Sequence, residues 1–111
     1  MKRLMLATAL VTAWAGIARA DDSFDRVAEV YGEAAAFGEM CPALKFSDAA
    51  MTFYAGAAGV NIDDGVISEA GFFQRKAFAE WGTKPAGMAC AQADRLFGPS
   101  GSKAPSLLVR E

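Results

Sequence analysis

Cys41 and Cys90 are the only two cysteines in this chain, and the residues in front of them decide what they can be. Lys2 and Arg3 make a positive start, and an apolar run from Leu4 to Ala18 follows. Ala18-Arg19-Ala20 then forms an A-x-A-like cleavage site just before Asp21-Asp22. That is the three-part layout of a secretory leader. The apolar run is short against the roughly 20 residues of a membrane-spanning helix. Residues 1–20 are therefore read as a signal peptide removed on export, the alternative being an uncleaved N-terminal anchor. Export delivers the remainder to an oxidising compartment, periplasmic or extracellular, where a lone cysteine pair becomes a structural disulfide. Closing the loop from Cys41 through Cys90 contributes about 4 kcal/mol on the chain-entropy model. For a domain whose whole stability is of the order of 5–15 kcal/mol, that can decide folding.

Loss of Lys2, Arg3 and Arg19 with the leader takes the formal charge from −2 to −5. A mildly acidic product lacks the basic face that nucleic acids and anionic membranes select, so neither is expected as a partner. The mature length supports one core, and a small one, which is where a covalent staple matters most.

Apolar spacing predicts an all-α domain of four short helices over residues 21–98, with 99–111 as a C-terminal tail. Ser23 caps a first helix reaching about Phe37, with Phe24, Val27, Ala28, Tyr31, Ala34 and Ala35 on one face and Asp25, Arg26, Glu29 and Glu33 opposite. Gly38 and the Cys41-Pro42 step end it. Ser47 caps a second helix whose inward face is Phe46, Ala50, Phe53, Tyr54 and Ala57, with Gly59 as its stop. Asp63 caps a third, running to Trp81, with Val66, Ile67, Ala70, Phe73, Ala77, Phe78 and Trp81 inward. Thr83 caps the fourth, which turns Ala86, Ala89, Cys90, Ala93, Leu96 and Phe97 inward and stops at Gly98-Pro99. No strand of useful length is expected.

The chain has no histidine, so the commonest general base and the commonest zinc or haem ligand are missing. The cysteines are not spaced as C-x-x-C, which removes the thioredoxin-like and c-haem signals. Ser102-Lys103 lies in a Gly/Pro/Ser tail with no evident pocket to keep a lysine neutral. Asn61-x-Asp63-Asp64-Gly65 begins like a calcium loop, but the required twelfth-position glutamate is Phe72. Met40 and Met88 beside the two cysteines would suit Cu(I) only if the thiols stayed reduced. The chain is accordingly read as not an enzyme and as having no cofactor or metal site. One aromatic stands apart. Phe72 falls among Glu69, Lys76 and Ala79, either covered by Leu107 and Leu108 of a folded-back tail or exposed as a partner contact.

A leader, a short helix, a lone cysteine, two more helices and a second lone cysteine 49 positions later form a layout similar to that of HdeA-type acid-stress chaperones of the bacterial periplasm. The likeness rests on Cys41 and Cys90 and spans about residues 37–97. It extends equally to other small exported bacterial proteins with one disulfide. It implies an all-helical domain that loosens at low pH and holds unfolding clients. This chain has fewer charges than that family, more glycine and aromatics, and a Gly-Pro-Ser tail in place of a lysine-rich end, so no client-binding residue carries over. The expected role is a small exported interaction or accessory protein with a protein partner or client, acid-responsive chaperone activity being its named form. The alternative is an accessory subunit of a periplasmic redox or copper-handling system. Carboxylates facing Arg26, Lys45, Arg75, Lys76 and Arg95 would supply the acid sensitivity.

Overall fold

The computed structural model describes residues 23–110, so the expected leader and its expected cleavage site lie outside the described residues. Six elements follow in order. They are helix α1 over residues 23–40, strand β1 (Leu44–Phe46), α2 (Asp48–Ala57), α3 (Asp64–Trp81), α4 (Ala86–Phe97) and strand β2 (Leu108–Arg110). The four expected helices are present, and Cys41 and Cys90 are bonded with their Cα atoms 5.6 Å apart. That separation lies within the ordinary range for a disulfide. It ties the residue after α1 to the middle of α4.

Helix α1 is the post around which the rest packs. One buried face was expected, but Val27, Ala28, Val30, Ala34, Ala36 and Phe37 are all shielded, which takes in most of the circumference. The small residues allow this, because neighbouring backbones can come close where there is little side chain to keep them apart. Gly32 is the extreme case. A Cβ there would overlap the Ala70 carbonyl oxygen of α3 and sit 2.8 Å from the Gln74 nitrogen and 2.9 Å from the Phe73 Cβ.

The helix also outruns its expected end at Phe37. Gly38 does not terminate it; a Cβ there would stand 3.5 Å from a Leu108 methyl and 3.7 Å from the Phe46 Cβ, so this glycine makes room for the strands. The Cys41 N–H still donates to the Phe37 carbonyl at 2.9 Å, and Pro42 stops the helix.

Local capping reads as expected at α2 and α3. Ser47 accepts from the Ala50 N–H at 3.2 Å, and Asp63 accepts from the Val66 N–H at 3.0 Å. Gly59 beyond α2 adopts φ +75°, the left-handed position that glycine fills without a Cβ penalty. Thr83 does not cap α4. Pro85 takes that place with no side-chain bond, and Ala86 behind it is exposed.

The inward face of α2 differs from the expected one. Met51 and Ala55 are buried while Phe53 is 80% exposed. Phe53 and Tyr54 point about 100° apart on a helix, so one short turn cannot bury both. Tyr54 is the one that packs against the core. On α3, Ile67 is likewise outside, with Val66, Ala70 and Ala77 inside.

The strands were not anticipated. β1 and β2 pair antiparallel with Leu44 opposite Arg110, Lys45 opposite Val109 and Phe46 opposite Leu108. Three residues are too few to display alternation, and the partners come from opposite ends of the domain. The pairing makes the tail part of the fold, since Ala104, Leu107 and Leu108 are buried in the same cluster as Phe37, Met51 and Phe97. Aromatics knit this alanine-rich core. Phe37 stands 5.9 Å from Trp81 and 6.2 Å from Phe97, and Tyr31 stands 5.4 Å from Phe46.

Candidate functional site

Glu29 and Glu33 are four residues apart, so they project from the same side of α1. Like charges at this spacing cost an isolated helix about 0.2–0.5 kcal/mol, and Arg26, one turn before Glu29 on the same helix, forms no ion pair with either. Their partner comes from the other end of the chain. Lys103 Nζ stands 2.5 Å from Glu29 Oε1 and 2.8 Å from Glu33 Oε1. Both ion pairs found among the described residues end on this one ammonium. The arginines and lysines expected to serve the carboxylates are not those used.

The backbone after α4 puts Lys103 there. A helix leaves its last carbonyls unpaired, and the tail uses them. The Ser102 N–H donates to Arg95 O at 3.0 Å, and the Lys103 and Ala104 N–H groups both donate to Leu96 O at 3.1 Å. The Ser106 N–H donates to Gly98 O at 2.8 Å, with Ser106 itself at φ +64°. This coil aims Lys103 at α1 and sends the chain on into β2. Ser47 at the end of β1 then donates its N–H to Leu107 O at 2.8 Å.

Each of the three groups shifts the titration of the others. The hydrogen bond from Lys103 holds the Glu29 carboxyl below the ordinary value, outweighing burial, with Lys76 of α3 adding a weaker attraction. Burial pushes the Glu33 carboxyl up despite the same lysine, and the Glu29 charge pushes it further. Burial works against the Lys103 ammonium, yet its two carboxylate partners lift it above the ordinary lysine value. One ammonium thus stabilises one carboxylate well and a second poorly. A cavity of about 340 Å³ opens beside the cluster, walled by Phe37, Phe73, Trp81 and Leu96. From α3, Lys76 and Glu80 also face it, and α4 contributes the neutral Gln92.

The other candidate residues lie elsewhere. Phe72 is 51% exposed on α3, edge-on to Phe73 with ring centroids 5.3 Å apart. One reading had the tail fold back over Phe72; the tail does fold back, but Phe72 stays half exposed. Leu107 and Leu108 nevertheless turn into the core, with relative exposures of 0% and 1%, so neither is a surface that a partner can meet in this state. Cys41 and Cys90 spend their sulfurs on each other, and Met88 is exposed. Among the described residues no group of three or more Cys, Asp or Glu side chains is placed to hold a metal ion. No described helix is long and apolar enough to cross a membrane.

The Glu29–Glu33–Lys103 cluster escaped sequence reasoning because its halves lie 70 and 74 positions apart. Two signals pointed to it: a carboxylate pair four residues apart on one helix face, and a solitary lysine among glycine, proline and serine. Compared with family models, curated proteins and solved structures, the chain matches none.

Proposed function

We propose that this protein is a non-enzymatic, acid-responsive chaperone of the bacterial periplasm, its client-binding surface kept shut at neutral pH by the tail. The observation that carries this reading is the Lys103 bridge to Glu29 and Glu33, which locks a segment covering the core with Leu107 and Leu108. The disulfide suits an extracytoplasmic home. It also keeps the helices together when the lock opens.

The direction of the acid effect follows from the two carboxyls, which act oppositely. Glu33, raised in the fold, favours the folded state when protonated; that contribution is present below the unfolded value and lost as pH rises through the folded one. Its protonation in mild acid therefore costs the fold nothing. Glu29, lowered in the fold, stabilises above the unfolded value, and this is lost as pH falls through the lower folded one. Lys103, raised, stays charged throughout this range. The lock holds with one proton in and opens when the second arrives, below the ordinary carboxylate range of about 4. The chain is by then cationic, and self-repulsion drives the segments apart.

A pH series with ANS fluorescence and the aggregation of an acid-unfolded test protein checks this. The protein should bind ANS and suppress aggregation below about pH 3, with near-UV CD lost and far-UV CD largely kept. Glu29→Gln should move that onset toward neutrality, while Glu33→Gln should leave it in place or lower it. Near-UV CD unchanged down to about pH 2 would contradict the proposal, as would equal effects of the two glutamine variants.

A further inference from the structure

The segment that seals the core also shows what replaces it. We infer that the opened protein binds its client by strand exchange at β1. An extended apolar stretch of another polypeptide then takes the antiparallel place vacated by residues 104–110. This inference rests on the acid-release reading above.

What leaves with the tail defines what must come back. Ser47 loses the Leu107 carbonyl as acceptor, and residues 44–46 lose their ladder with residues 108–110. Unpaired backbone groups on a strand edge beside apolar surface form a template for another extended chain. The vacated floor is the cluster of Phe37, Leu44, Met51 and Phe97 that Leu107 and Leu108 had completed. Gly38 adds a flat place on α1 where the Leu108 side chain now rests. A mere apolar patch would accept any greasy surface. This one combines an edge with floor positions set by its register, so it favours an extended segment with two neighbouring apolar residues, the second opposite Phe46. Backbone pairing supplies affinity without reading sequence, which suits a chaperone that meets many clients. At neutral pH the tail occupies the site at the high effective concentration of a tethered ligand, and free segments cannot compete.

The test uses the full-length, disulfide-bonded protein and a fluorescent synthetic peptide of residues 101–110. Anisotropy should show no binding at neutral pH and saturable binding at about pH 2.5, with Glu29→Gln shifting the onset upward. The same peptide with serine at the positions of Leu107 and Leu108 should bind at least about tenfold more weakly, from the loss of two buried leucines. Hydrogen exchange identifies the site. The Ser47 amide should lose protection by about tenfold or more on acidification and regain it with saturating peptide, which adhesion to Phe72 or Phe53 would not produce. Suppressed aggregation without peptide binding or Ser47 reprotection would overturn strand exchange and leave the acid-responsive reading standing. A tail that stays protected at about pH 2.5 would overturn both.

Discussion

Gly32→Val should cost this protein most of its stability. The clash at position 32 begins at the Cβ, directly against the Ala70 carbonyl oxygen and close to the Gln74 nitrogen, so no choice of rotamer relieves it. Helices α1 and α3 would have to move apart along the line where Val66, Ala70 and Phe73 meet the core. Overpacking typically costs about 1–3 kcal/mol, and a collision with backbone places this variant at or above the top of that range. Gly32→Ala is the sharper comparison. Alanine is favoured over glycine inside a helix by about 1 kcal/mol, so an unobstructed site would gain. Here a net loss in the urea midpoint is expected. A gain would mean that the two helices do not approach as described.

Leu107→Ala should lower stability by about 2–5 kcal/mol, the usual cost of emptying a fully buried leucine site. Leu108→Ala should fall in the same range, and the double variant should cost less than the sum because the two sites adjoin. Neighbouring Val109 lies on the open side of β2. Its alanine variant should stay within about 0.5 kcal/mol of the parent. A tail merely draped over the surface would give three similar, small values. The contrast between adjacent residues therefore tests whether residues 104–110 complete the core.

The parts of this fold legible in the sequence are those set by neighbours along the chain. Ser47 and Asp63 were recognisable as caps because the bond each makes spans three residues. The disulfide was legible because a leader-like pattern over residues 1–20 and a lone cysteine pair together leave few alternatives. Position 53 was misread because Phe53 and Tyr54, about 100° apart, satisfy the wheel equally well. Only the placement of α2 on the core decides between them. Gly38 carried two meanings, helix stop or close contact, and the second depends on Leu108, seventy residues downstream. The tail was hardest of all. Its order comes from α4 carbonyls, a three-residue strand partner and two distant carboxylates, none of which leaves a periodic trace. The same non-locality hid the candidate site, since Lys103 has meaning only beside Glu29 and Glu33.

Amide hydrogen exchange across a pH series reads out whether the tail is held by a lock that needs two protons to open. The Ser47, Ala104 and Ser106 amides report the tail, because Ser47 donates to the tail's Leu107 carbonyl while Ala104 and Ser106 tie the tail to the Leu96 and Gly98 carbonyls at the end of α4. Their protection, taken relative to the amides of α3, should be constant from neutral pH through the ordinary carboxylate range. It should then collapse below about pH 3 while the disulfide-linked helices remain protected. Collapse already above the ordinary carboxylate range, as Glu33 takes its proton, would contradict a two-proton lock. Uniform protection of tail and helices down to about pH 2 would contradict a lock of any kind.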